Sequence, residues 1–183
     1  MSKATSKALL TDVATLRKRA RQHMQDGAIT AGYDADRKMV VKLLNDALAT
    51  ELVCVLRYKR HYFMAQGLNA KNAVSEFLEH ANQEQEHADL IAARIVQLGG
   101  EPDFSPSTLA DRSHSEYVEG KSLDDMIREN LVAERIAIDS YRELIGYFGD
   151  QDITTRRLME EILAVEEEHA DDLVDLLQKK AVS

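Results

Sequence analysis

Apolar residues recur every three to four positions along four long stretches of this chain, and each stretch is bounded by helix-stopping residues. The first runs from about Asp36 to Gln66 and stops at Gly67, with Leu44, Leu48, Val55 and Tyr58 in one stripe. The second runs from about Ala70 to Leu98 and stops at Gly99 and Gly100, with Phe77, Ala88 and Ile91 in line. The third begins after Ser122, where Asp125 supplies an acidic variant of a capping box, and ends at Gly149. Its stripe holds Ile127, Leu131, Ile138 and Tyr141. The fourth starts near Asp152 or Thr154 and runs to about Lys179, with Met159, Ile162, Leu163 and Leu173 on one face.

The links decide the topology. Only a few residues join the first pair and the last pair, so each pair folds as an antiparallel hairpin. The middle link, "EPDFSPSTLADRSHSEYVEGK", holds both prolines and is read as an extended loop. A helix of about 28 residues is roughly 42 Å long. An extended link of about 21 residues reaches roughly 70 Å. It can cross the bundle from end to end, which makes the second and third helices parallel. Residues 4–26 predict a further helix, with Leu9, Leu10, Val13 and Leu16 on one side. The chain therefore divides into a basic amphipathic helix and linker, 1–33, and a four-helix bundle, 34–183.

Composition narrows the function. The 183 residues suit one domain with a substantial core, and the net charge of −9 argues against nucleic acid as the main partner. The first 26 residues depart from this, with six Lys or Arg against Asp12 and Asp26. A short helix docking on an acidic surface explains them best, and a nucleic-acid arm is the alternative. The single cysteine, Cys54, excludes an intrachain disulfide framework and fits as a small core residue. No secretory signal or membrane-length apolar run is visible. The expectation is a cytoplasmic protein without a membrane partner.

Two nearly matching phrases carry the chemistry: "ANQEQEHADL" at 81–90 and "AVEEEHADDL" at 164–173. Each contains Glu-x-x-His, Glu84 with His87 and Glu166 with His169. Glu51 and Glu84 lie 17 and 16 residues either side of Leu68; Glu134 and Glu166 lie 16 either side of Asp150. Residues equidistant from a hairpin turn sit at one height, so the four glutamates share a layer. All six residues also lie on the apolar stripes. A surface ion-pair pattern is the alternative, but Glu86, Glu167 and Glu168 fill that role off the stripe. Burying one unpaired carboxylate costs several kcal/mol, so four need neutralising. Two divalent cations would supply +4 against −4, and carboxylate with imidazole suits iron or manganese, with zinc also able to bind. Tyr58 and Tyr141 each follow a stripe glutamate by seven residues and could hydrogen bond a carboxylate. His23, His61, His80 and His114 lack a preceding glutamate and read as ordinary.

One Glu from each of two helices and Glu-x-x-His from the other two is the handed-down arrangement of ferritin-like carboxylate bundles. "LLNDALATELVCVLRY", "EQEHADLIAARIVQLGGEPDF" and "EILAVEEEHADDL" resemble the corresponding helices of bacterioferritins, over roughly residues 36–178. The resemblance implies an all-α ferritin-like fold and a ferroxidase. Two Fe(II) per chain would be held by Glu51, Glu84, His87, Glu134, Glu166 and His169 and oxidised by O2 or H2O2, for storage or detoxification. It also implies a homo-oligomer, from a dimer to a shell of twelve or twenty-four chains. Gln85 stands where bacterioferritins carry the haem-binding Met, so no haem is expected. The chain ends soon after its fourth long helix, which counts against the twenty-four-chain shell. Gln83 and Val165 replace an Asp found in several relatives, so Asn130 could orient a histidine instead. A DNA-protecting particle, or a di-metal oxygenase or peroxidase working with a partner, remain competing functions.

Overall fold

Asp36 opens the first long helix by accepting the backbone N–H groups of Lys38 and Met39 at 3.1 and 3.3 Å. Such caps satisfy donors that the first helical turn leaves unpaired. A computed structural model describes residues 11–66 and 70–181, with side chains described through Gln178. Among these residues every regular element is a helix: α1 (Val13–Arg19), α2 (Arg37–Met64), α3 (Lys71–Gln97), α4 (Leu109–Arg112), α5 (Leu123–Phe148) and α6 (Ile153–Ala181). They fall into two compact units divided after Asp34. None of the helices is long and apolar enough to cross a membrane.

Among the described residues of the first unit the α-helix spans Val13–Arg19 and does not continue to residue 26. Asp12 caps it by accepting from Thr15 N at 3.0 Å, and it ends at Arg19. Four basic residues crowd its end, Arg17, Lys18, Arg19 and Arg21, and His23 then adopts a left-handed φ of 52° that no helix can continue through. A single 3-10 turn, Met24–Asp26, follows. Leu9 and Leu10 lie outside the described residues, as do Gly67 and Leu68 at the first hairpin.

In the second unit α2, α3, α5 and α6 form the bundle. Cross-helix pairs fix their directions. Lys59 meets Asn82 and Glu51 meets His87, so α2 and α3 are antiparallel. His61 meets Asn130 and Tyr141 meets Glu51, so α2 and α5 are antiparallel. His80 meets Asp172 and Arg94 meets Thr155, so α3 and α6 are antiparallel. It follows that α3 and α5 are parallel.

The long link makes this possible and is more ordered than an extended loop. It runs alongside α2 in step. Asn45 donates to the Glu101 carbonyl, the His114 N–H to Thr50, Arg57 to the Glu116 carbonyl, and Arg60 to the Glu119 carbonyl. The short α4 sits within it. Gly99 and Gly100 launch it by closing α3 with N–H bonds to Val96 and Ile95, both 2.9 Å, the paired pattern of a Schellman motif. Gly99 has φ +72°, and a Cβ at Gly100 would fall 2.7 Å from Val41, so neither position tolerates a side chain. Ser122 then caps α5 by accepting from Asp125 N at 3.2 Å.

The stripes face inward. Leu44, Leu48, Phe77, Ile91, Met159 and Leu173 are fully buried. Each large aliphatic or aromatic side chain contributes roughly 1.5–3 kcal/mol by leaving water. That core surrounds a polar middle layer.

Candidate metal centre

Every one of Glu51, Glu84, His87, Glu134, Glu166 and His169 is at most 5% exposed. The structure brings all six together as two overlapping groups. Glu51, Glu84, His87 and Glu166 place their ligand atoms within 4.8 Å of one another, and so do Glu84, Glu134, Glu166 and His169. Glu84 and Glu166 belong to both. His87 Nδ1 stands 2.9 Å from Glu166, 3.4 Å from Glu51 and 3.5 Å from Glu84. His169 Nδ1 stands 3.4 Å from Glu166 and 3.6 Å from Glu84. The local reason is helical geometry: i and i+3 share a face, so each Glu-x-x-His presents both side chains inward.

Each of the six also carries a buried nitrogen or oxygen without a hydrogen-bond partner: Glu51 Oε2, Glu84 Oε1, His87 Nδ1, Glu134 Oε2, His169 Nδ1 and both oxygens of Glu166. Buried polar atoms are normally paired. Seven orphans aimed into one dry layer make a donor set that fits two cations, each facing one imidazole, one carboxylate of its own and the two shared carboxylates.

Protons hold the charge in balance when cations do not. Burial pushes Glu51 up to about 8, and neighbouring Glu84 adds to this. Burial, with Glu84 and Glu166, likewise pushes Glu134 well above the usual carboxylate range. Burial also pushes Glu84 and Glu166 upward, but the close approach of the His87 and His169 rings, and of Glu51 to Glu84, outweighs it and both titrate below the ordinary value. Both imidazoles lose stability as cations by burial, yet the carboxylates raise them, His169 to about 10. These shifts favour the neutral acid at Glu51 and Glu134, the carboxylate at Glu84 and Glu166, and the cation at both imidazoles.

Around this layer each tyrosine crosses to the opposite hairpin. Tyr58 on α2 donates to Glu134 on α5, and Tyr141 on α5 donates to Glu51 on α2. Asn130 does orient a histidine, but that histidine is His61, whose Nδ1 lies 3.0 Å from Asn130 Oδ1. The same oxygen accepts from Arg57 Nε at 3.0 Å. Neither His87 nor His169 lies within its hydrogen bonds. Gln83 serves His169 instead, with Oε1 2.9 Å from Nε2. Gln85 points outward and donates to Asp89 at 3.0 Å. Cys54 is buried beside Ser115 and Arg57 and belongs to neither group; burial pushes its thiol up.

Sequence reasoning missed three buried polar residues. Arg57 is 0% exposed, bonded to Asn130, Glu116 and Cys54, and lies 5.7 Å over the Tyr58 ring. His61 joins Asn130 to the carbonyls of Val118 and Glu119 at 3.1 Å. His80 stacks on His169 with ring centroids 4.0 Å apart. The only signal for them was position on the buried stripes, His80 one turn before Glu84 and Arg57 and His61 about two and three turns after Glu51.

A helical bundle with four carboxylates and two imidazoles clustered in its dry interior belongs to the carboxylate metal-binding class of bundles. The chain is a member of the ferritin-like family: residues 41–181 match the family described as Ferritin, ferritin-like domain. Among curated relatives, a bacterioferritin of Desulfovibrio desulfuricans is 28% identical over 141 residues, 76% of this chain and 75% of its own length. A nutrient stress-induced DNA-binding protein of Nostoc sp. is 31% identical over 149 residues, 79% and 80% of the two chains. Among solved structures, a dodecameric thioferritin, the bacterioferritin-related protein of Bacteroides fragilis, superposes with a TM-score of 0.77 at 33% identity. That match covers 80% of this chain and 88% of the other.

Proposed function

We propose that this protein is a ferroxidase that binds two Fe(II) per chain inside the bundle and oxidises them with O2 or H2O2, for iron storage or detoxification. The observation that supports this reading most is the sharing of Glu84 and Glu166 between two groups that each keep their own histidine and their own glutamate.

The residues divide the work. His87 and His169 bind Fe(II), the softer state, while the hard carboxylates favour Fe(III). Two Fe(II) give up two electrons. With two protons these convert O2 to H2O2, or H2O2 to two waters. Tyr141 and Tyr58 hold Glu51 and Glu134 in place, and Gln83 holds the His169 ring. The surrounding aliphatic core keeps bulk water from the layer. By likeness to the dodecameric thioferritin, the working form is a homo-oligomeric shell that receives the oxidised iron.

Anaerobic titration with Fe(II), followed by admission of O2, tests the reading. Rapid oxidation saturating at about two iron per chain is expected. Oxidation with no such break would remove it.

One observation favours a second reading, a DNA-protecting particle: Arg17, Lys18, Arg19 and Arg21 cluster at the exposed end of α1, and the Nostoc relative is named a DNA-binding protein. A gel shift that deletion of residues 1–26 abolishes would support it; no shift with the full chain removes it.

A further inference from the structure

One helical turn from the six-residue layer, α3 and α6 bring together Glu76, His80 and Asp172, with their ligand atoms within 4.8 Å of one another. His80 Nε2 lies 3.5 Å from Asp172 Oδ2 and 3.8 Å from Glu76 Oε2. The side chains of Glu76 and Asp172 are 34% and 46% exposed, but His80 is 1% exposed. The group thus has a buried end and an open end.

The hydrogen bonds around His80 say which ring nitrogen holds the proton. Tyr58 has one hydroxyl hydrogen, and it goes to Glu134. His80 Nδ1 lies 3.2 Å from that same hydroxyl oxygen, so Nδ1 must be the donor. In a neutral imidazole this leaves a lone pair on Nε2. That lone pair faces two carboxylate groups, acceptor against acceptors. A cation between them turns the mutual repulsion into coordination. Its spacing suits this: ligands about 2.1 Å from a tetrahedral ion stand about 3.4 Å apart.

We infer that Glu76, His80 and Asp172 form a third, mononuclear site for a divalent transition-metal ion, separate from the buried pair. One imidazole and two carboxylates suit Fe(II), Mn(II) or Zn(II). Three protein ligands leave positions for water, and two of the ligands reach solvent, so the ion exchanges readily. The binding does not depend on the ferroxidase reading. That the ion is iron on its way to or from the buried pair does rest on it. The route between the two is short: His80 stacks on His169 and reaches Glu134 through Tyr58.

Zn(II), which is redox-inert, is the probe. Equilibrium dialysis of the full chain should find three Zn(II) per chain. The double variant Glu76→Gln/Asp172→Asn alters partly exposed side chains and should bind one fewer. Glu51→Ala/Glu166→Ala, which breaks the buried pair, should keep the ion at His80, and adding the first two changes should remove it. In zinc-soaked crystals an anomalous peak about 2.1 Å from His80 Nε2 should disappear in the double variant. Unchanged stoichiometry in Glu76→Gln/Asp172→Asn would overturn the third site, leaving His80 as an imidazolium paired with its acids. A chain that binds a single Zn(II), lost in that variant and kept in Glu51→Ala/Glu166→Ala, would uphold the third site while removing the two-ion reading.

Discussion

The hydroxyl of Tyr58 on α2 is hydrogen bonded to the carboxylate of Glu134 on α5, 76 residues away. Tyr141 makes the reciprocal bond to Glu51. The two hairpins are thus tied across the carboxylate layer by a pair of identical contacts of opposite direction, and each fixes a carboxylate that belongs to only one of the two groups.

Tyr141→Phe removes the bond to Glu51 without changing the shape of the core. Hydrogen bonds to charged groups contribute roughly 1.5–3 kcal/mol, and loss of such outer contacts lowers metal affinity roughly 10–100-fold. The variant should stay folded, bind metal more weakly and oxidise Fe(II) more slowly. Calorimetric metal titration with stopped-flow oxidation reads both effects, and unchanged values for both would show that the phenol only packs.

Gln83→Leu should act on the other side of the centre. It leaves His169 Nε2 without its partner at 2.9 Å, so the ring loses orientation. Metal affinity should fall by roughly 10–100-fold, and Gln83→Glu, which restores an acceptor, should recover most of it. If leucine and glutamate behave alike, the contact does not orient the ligand.

Glu51→Ala and Glu166→Ala should both stop rapid oxidation and both stay folded, Glu51→Ala because it removes a buried acid raised by Glu84, Glu166→Ala with the larger loss of stability because it also takes away the partner of His87 and His169. They should differ in metal content. Glu51 belongs to one group and Glu166 to both. Glu51→Ala should therefore retain at most about half of the buried-centre metal, and that only at saturating metal, and Glu166→Ala very little. Native mass spectrometry distinguishes them, and retained rapid oxidation in both would disprove the ligand assignment.

The protonated centre makes the metal-free protein sensitive to base. Glu51 titrates at 4.5 when unperturbed and about 8 in the fold, and His169 at 6.5 and about 10. Both keep protons in the fold that the unfolded chain gives up. Their stabilisation is complete below 4.5 and 6.5 and is lost as pH rises through 8 and 10. Glu84 and Glu166 are lowered, so their stabilisation is present above 4.5 and lost on acidification. Metal-free Tm should fall steadily between pH 7 and 10, and metal loading should flatten that slope. Binding should also release protons, up to about two per ion at neutral pH, which titration in buffers of different ionisation enthalpy measures.

The helices and the six clustered side chains were legible because both rest on period and spacing. A stripe reports which face is buried, and distance from a turn reports height. Neither reports what stands opposite. The Arg57–Asn130–His61 network spans as many as 73 residues of sequence, and nothing local predicts it. Asn130 was singled out, yet its partner is His61, because Arg57 and His61 reach it from α2. Gln83 was visible only as a replaced Asp, though its amide oxygen performs the orienting task. The apolar pattern signals the N-terminal helix but not its end, because the pattern does not report the left-handed turn at His23 or the crowding of basic residues before it.

Because Glu84 and Glu166 belong to both groups, an ion held by one group would share its carboxylates with the other. A first ion would fix the two common carboxylates and displace protons from the glutamate and imidazole of its own group. The second then meets a cradle already built. Loading should be cooperative, with chains carrying a single buried ion scarce at every concentration, so that electrons leave the iron in pairs.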